Sequence, residues 1–311
     1  MILGLSHVGL TVSDLDKSIQ FYQKAFGFTV LSDAERKGEW VEKISGIPGL
    51  HTRTVYLAAT LHCHLEVFRF YYPPSLPPEK DVNERVGISC CVLREECSPR
   101  NLARGNTPKK QKKINQSQVE NEHIHQKYRM GFVLTPDGVL FKIINPQKKE
   151  HGSPKKPTKE ILYPACLVEN LEQSLDFFQE RLGMEIKEEG SDSRIDLIEQ
   201  KDRGSVRWVL LKGKGGICLE LWQPLNHRIL PATTWEMQRV GFTHIAFGVK
   251  NLEGFYSQLM NRNINFKSIP QSIKIGPHQG GKTVYLASPE GIVLEFIDSP
   301  LIQEGLKTTA C

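Results

Sequence analysis

Nowhere in this 311-residue chain does an apolar run approach the ~18 residues that a membrane-spanning helix needs, so no span is expected. The first residues, MILGLSHVGL, put no basic segment ahead of a long apolar stretch, and no secretory signal is expected either. Cysteine is sparse and unpatterned. There are seven, an odd number, with Cys90 and Cys91 adjacent, which excludes a disulfide framework and points to reduced thiols and a cytoplasmic setting. Aromatic residues are missing from the two basic runs, Arg100–Lys113 and Gln147–Glu160, that account for most of the net charge of +5. Without rings interleaved among the cations, neither run has the stacking surface of a nucleic-acid binder, and both read as solvated loop or linker.

What the chain does have is repetition. Its length allows about two domains, each able to bury a core. His7–Val30 and Tyr163–Ile186 align without gaps and share Leu15/Leu171, Ser18/Ser174, Phe21/Phe177 and Gly27/Gly183. Each copy reads as a strand, a polar turn and an amphipathic helix. Leu15, Ile19, Tyr22 and Phe26 form one helical stripe, and Leu171, Leu175, Phe178 and Leu182 form the other. Ser13 with Asp16 offers an acidic capping box, Asn170 an N-cap, and Gly27 and Gly183 the stops. Short β-type runs follow, a further helix is predicted around Leu252–Leu259, and PDG and PEG turns (136–138 and 289–291) precede two terminal strands. The Pro- and Lys-rich stretch 147–160 reads as a linker between halves 1–146 and 161–300, ahead of a tail at 301–311.

Two histidine–glutamate pairs sit in this framework. His7 lies in "LSHVGLTV" and Glu66 in "HLEVF", while His244 lies in the similar "FTHIAFGV" and Glu295 in "VLEFI". A lone histidine in an apolar strand is usually a hydrogen-bonded core residue, and a lone glutamate there is costly to bury. The same pair written twice points instead to four ligands of one metal ion. Two imidazoles and two carboxylates suit Ni, Co, Zn, Mn or Fe as a single divalent ion, identity open. His64 shares a strand face with Glu66 and could serve as a supporting or substrate contact, but a surface strand position is the favoured reading. His278, in "GPHQGGKT", is placed at the mouth of a site, in surroundings whose glycines suggest a mobile loop.

A fourfold βαβββ pattern with His in the first strand and Glu in the last resembles the vicinal oxygen chelate superfamily, which includes glyoxalase I, bleomycin resistance proteins and extradiol dioxygenases. The resemblance covers residues 1–73, 84–146, 161–224 and 240–300. It implies an α+β fold whose four modules pair into two curved, cup-like mixed sheets with flanking helices. Carried over by position, the family's ligand places hold His7 and Glu66 in the first module and His244 and Glu295 in the fourth. The second holds Cys90 and Lys142, and the third Tyr163 and Glu220. Sequential pairing would mix good and poor ligands in both cups. Crossed pairing, one with four and two with three, would gather the good set into one cup and leave Cys90, Lys142, Tyr163 and Glu220 as a degenerate site, and it is favoured.

The resemblance implies a metal-dependent lyase or isomerase acting on a small substrate chelated through vicinal oxygens, with Glu66 or Glu295 as general base. Thr11 and Phe70 stand where glyoxalase I grips glutathione, and argue against that substrate. An extradiol-type dioxygenase and a non-catalytic drug or metabolite binder are the alternatives. Tyr163 counts against the first, and the intact His/Glu/His/Glu set against the second. Two tandem halves supply the sheet pairing that single-half relatives obtain by dimerising, so a monomer suffices.

Overall fold

The computed structural model describes residues 1–58, 63–79, 84–95, 128–146, 159–196, 201–226, 228–232 and 236–308. The basic run Arg100–Lys113 and nearly all of the predicted linker 147–160 lie outside these residues.

Two curved mixed sheets carry the fold. In the first, β1 (Ile2–Thr11) pairs parallel with β4 (His64–Tyr72), which continues outward to β3 (His51–Ala58) and the edge strand β2 (Thr29–Lys37). On its other side β1 pairs antiparallel with β12 (Gly241–Val249), followed by β15 (Val293–Asp298), β14 (Lys282–Ala287) and the short β13 (Gln271–Ser272). The second sheet repeats this plan with the central part of the chain. Its middle pair is β5 (Gly87–Glu95) against β8 (Lys159–Leu167). β7 (Leu140–Pro146) and β6 (Tyr128–Leu134) flank one side, with β11 (Gly216–Pro224), β10 (Lys201–Gly213) and β9 (Glu185–Asp196) on the other. The first and last segments of the chain therefore form one cup and the two middle segments the other, which is the crossed arrangement.

The helices form where the stripes predict. α1 (Leu15–Phe26) buries Leu15, Ser18, Tyr22 and Phe26 and stops at Gly27, whose φ of 72° is the left-handed turn that glycine adopts without strain. Its cap is Asp14, not Ser13: the Asp14 carboxylate accepts from Lys17 N at 3.1 Å. Ser13 is instead drawn to a distant partner, Asp137, which accepts from its backbone N at 3.0 Å and its hydroxyl at 2.5 Å. The third module's helix, α3 (Leu171–Leu175), is capped by Asn170, which accepts from Gln173 N at 3.0 Å. It widens into a π-helical segment over Asp176–Arg181 before the left-handed Gly183. α4 (Leu252–Met260) fills the predicted place, α2 (Glu39–Ser45) covers one flank of the first cup, and α5 (Pro300–Thr308) occupies the predicted tail.

One continuous core runs between the sheets. Phe141 of β7 meets Phe26 at 5.0 Å and Tyr22 at 5.9 Å between ring centroids, so α1 of the first cup packs on the second. Each fully buried ring of this kind contributes on the order of 2–3 kcal/mol of transfer free energy. Cys63, Cys90, Cys91, Cys166 and Cys218 are buried and in no disulfide, and burial pushes the thiols of Cys91 and Cys166 up, as suits packing groups. No helix among the described residues is long and apolar enough to cross a membrane.

Candidate metal centre

The first cup gathers four donors. β1 and β4 run parallel and place Gly9 beside Glu66, while the antiparallel β1–β12 pair places His7 opposite Ala246 and Gly9 opposite His244. Alternation along the strands aims His7, His244, Glu66 and Glu295 into the same concave face. All four are buried, at 0%, 0%, 2% and 4% exposure. His7 Nε2 lies 3.2 Å from His244 Nε2, 3.1 Å from Glu66 Oε2 and 2.9 Å from Glu295 Oε2. His244 Nε2 lies 3.4 and 3.1 Å from the same two oxygens.

This crowding is peculiar. Each Nε2 faces the other imidazole and both inner carboxylate oxygens at once, more neighbours than a single ring proton can serve. The outer nitrogens have other neighbours: His7 Nδ1 lies 3.3 Å from Ser6 Oγ and His244 Nδ1 lies 3.0 Å from Thr243 Oγ1. With protons on those Nδ1 atoms, both Nε2 lone pairs face inward, as in histidines arranged for a cation. Donors 3 to 3.4 Å apart are also the spacing that ion–donor bonds of about 2.0–2.2 Å produce. The donor set thus fits a first-row divalent ion.

The electrostatics show what the pocket demands when protons alone must balance it. Burial lowers the His7 imidazole, but the Glu295 and Glu66 carboxylates outweigh it and raise the group to about 9. His244 is also raised against its burial, by hydrogen bonds to Glu295 and Glu66. Burial raises both carboxylates, yet Arg36 and His7 hold Glu66 well below the usual range, and His7 and His244 do the same for Glu295.

The outer oxygens of the two glutamates are held differently. Arg36 of β2 donates to Glu66 Oε1 from Nη1 at 2.8 Å, and the Tyr56 hydroxyl donates to the same oxygen. Arg36 Nη2 also donates to Tyr56 at 3.1 Å. Glu295 Oε1 accepts from Thr283 Oγ1 at 2.5 Å and is further hydrogen-bonded by Tyr285. No repeat marked Arg36, but the segment TVYLA is written twice, at 54–58 and 283–287, and sets Tyr56 opposite Glu66 just as it sets Tyr285 opposite Glu295. That recurrence was the available signal.

His64 is not on the surface. It is 1% exposed, pairs with His7 across the parallel strands, and its Nε2 lies 3.1 Å from His278 Nε2. The surface reading fails because the 273–281 loop folds over the β4 face. That loop is also pinned rather than loose, with Gly280 N donating to Ile273 O and Gln279 N to Gly276 O, and His278 Nδ1 lying 2.9 Å from Ser299 Oγ. His7, His64 and His278 make up a second convergent group, and among the described residues only these two groups bring metal-binding side chains together. Thr11 is fully buried and donates to Met237 O at 2.6 Å. Phe70 lines a pocket beside the centre.

In the second cup the register puts Cys90 opposite Ala165, Val92 opposite Tyr163 and alongside Lys142, and Glu220 alongside Ala165. These are the places of His7, His244, Glu66 and Glu295. Cys90 and Tyr163 pack into an apolar cluster with Trp208 and Leu210, and the Lys142 ammonium lies 5.5 Å from the Trp222 ring centroid. A buried ammonium at a ligand place does not suit a cation, and this donor set does not fit one.

A family model described as the glyoxalase/bleomycin resistance protein/dioxygenase superfamily matches residues 4–79 and 160–296. No curated protein matches the sequence significantly. A point variant of glyoxalase I from Zea mays superposes with a TM-score of 0.62 at 16% identity, covering 98% of this chain and 94% of that one. The unaltered Zea mays enzyme gives 0.58 at 15% identity, covering 98% and 95%. A dioxygenase-like protein from Bacillus subtilis gives 0.53 at 12% identity, covering 96% and 86%. At such identities the likeness is one of fold.

Proposed function

Because the chain belongs to the glyoxalase/bleomycin resistance protein/dioxygenase superfamily, we propose that it is a metal-dependent lyase or isomerase of the glyoxalase type. Its substrate in this reading is a small molecule presenting two neighbouring oxygens. The observation that carries it is the convergence of His7, Glu66, His244 and Glu295 donor atoms within 2.9–3.4 Å contacts in a buried cup. A divalent ion held by these four would supply Lewis acidity, stabilising negative charge that develops on a substrate oxygen.

The protein's own groups divide the remaining work. Arg36 and Tyr56 pin Glu66 through an ion pair and a hydroxyl, which keeps its negative charge in place and lowers its basicity. Glu295 is held by the hydroxyls of Thr283 and Tyr285, with no guanidinium on it among the described contacts. Of the two candidate bases Glu295 is therefore the better placed to take a proton from the carbon next to a substrate carbonyl and return it to the neighbouring carbon. His64 and His278 brace the His7 ring from the other side, at 5.3 and 5.6 Å between centroids. The second cup serves as scaffold in this reading, and one chain carries one site.

Metal content per chain, measured by plasma mass spectrometry on wild type, His7→Ala and His244→Ala, tests this. About one first-row ion per chain, lost in both variants, is expected. Metal-free wild type after reconstitution would overturn the reading in favour of a non-catalytic binder.

A further inference from the structure

All four donors of the centre are closed off from solvent, so an ion has to cross a cover to reach them. On the β4 side that cover is the 273–281 loop. Gln279 and Gly280 face solvent, while His278 beside them hangs inward at 1% exposure. Beneath the loop His278 Nε2 lies 3.1 Å from His64 Nε2, which repeats the 3.2 Å contact between His7 and His244 at the centre. The His7 ring lies nearly parallel to that of His64, with centroids 5.3 Å apart, and 5.6 Å from that of His278. One ring nitrogen from each of these three histidines comes within 4.8 Å of the other two. Ser299 Oγ, 2.9 Å from His278 Nδ1, can accept that nitrogen's proton, which leaves the inner Nε2 as a lone pair. Two imidazoles bonded to one ion at about 2.0–2.1 Å sit at this kind of separation.

Charge decides how the two groups share an ion. Glu66 and Glu295 bring two negative charges to the cup and Arg36 one positive, so a single divalent ion leaves a small excess. A second divalent ion in the same buried space would meet no further anion. The two groups therefore hold an ion in turn, and His7 belongs to both. We propose that His64, His278 and His7 form a second cation site, an all-imidazole loading site that holds a first-row divalent ion on its way to the four-donor centre. Three neutral nitrogens suit zinc, cobalt, nickel or copper and disfavour manganese or magnesium. The ion's destination rests on the metal-centre reading above, whereas the three-histidine site stands on its own donors.

Zinc K-edge absorption fine structure counts the imidazoles around the ion. The second site is expected to bind about 10–100-fold more weakly than the centre, so protein is kept in excess over zinc and no desalting step is used. Wild type should show two imidazoles, from His7 and His244. His244→Ala should show three, falling to one or none when His64→Ala is added. A count of one in His244→Ala means that the ion has stayed with His7, Glu66 and Glu295, and it overturns the second site alone. So does a folded His244→Ala protein that takes up no zinc. Wild type that takes up no zinc brings down the four-donor reading and the loading role with it. Stopped-flow uptake of cobalt keeps His244 in place and tests that role separately. His64→Ala should slow uptake and release alike, by about tenfold, with the equilibrium affinity held within about threefold. Faster uptake would make the loop histidines a plug, and lower affinity at unchanged uptake would leave them only a brace. Either result overturns the loading site.

Discussion

Gly9 is the residue on which the centre's geometry turns. It faces His244 across β1 and β12, and a Cβ added there would sit 2.1 Å from His244 Cε1 and 2.6 Å from Thr243 Oγ1. The imidazole and the hydroxyl beside its Nδ1 would both have to move. Gly9→Ala is therefore expected to weaken metal binding by about 10–100-fold, the range seen when ligand orientation is lost, while thermal unfolding stays cooperative. Competitive chelator titration checks it. His7 gives a second expectation. In the ion-free protein it holds a proton up to a pH of about 9, and an ion can bind only the neutral ring. Apparent affinity should rise at least tenfold per pH unit while His7 holds its proton and level off above about pH 9, with at least one proton released per ion below that point, since His244 is raised as well. Both carboxylates are held low and stay ionised across this window. The sign reverses for the stability of the ion-free fold. The raised His7 favours folding below its ordinary value near 6.5, and that contribution is lost as pH climbs through 9. Calorimetry in buffers of different ionisation enthalpy counts the protons.

Between the elements, two acidic turns do a job that no local pattern announces. Asp137, in the PDG turn of the second cup, accepts from Ser13 N, Ser13 Oγ and Ser18 Oγ at the start of α1 in the first cup. Glu290, in the PEG turn of the first cup, does the same at the start of α3 in the second, accepting from Glu169 N at 2.9 Å, Asn170 N at 2.7 Å and the Ser174 hydroxyl. Each sheet thus caps a helix belonging to the other, with a carboxylate at the positive end of the helix dipole. Asp137→Ala and Glu290→Ala should each cost about 1–2 kcal/mol in urea unfolding, and Asp137→Asn less. Sequence reasoning saw both turns and both helix starts but had no means of joining residues so far apart. It chose Ser13 as cap for the same reason, since Asp137, the group that occupies Ser13, lies outside the local window. Gly27, Asn170 and Gly183 were legible because their work is done within one turn of chain. Tyr56 and Tyr285 were legible in principle, because TVYLA is written in both the first and the fourth module, whereas nothing in the pattern singled out Arg36.

At the scale of the molecule, the meeting of His7 and Glu66 with His244 and Glu295 was readable because the pair is written twice and its decay is confined to the middle modules. The crossed strand order agrees with that distribution. His64 was misread because covering by a loop more than two hundred residues away is invisible to strand alternation. A chain ended before β12 should lose the centre and leave β1 with an unpaired flank. It is expected to aggregate, as sedimentation would show, because a buried strand with open backbone groups recruits further strands.

That edge also has a history in time. β1 leaves the ribosome well before its antiparallel partner β12, and every strand of the second sheet is made in between. The middle modules can close on each other during that interval, while the first waits with half its hydrogen-bonding row open. Closure of β1 on β12 is then the last large event of assembly, and His7 and His244 meet only when it happens. A bound ion would register that synthesis has passed β15, the strand that brings the fourth donor.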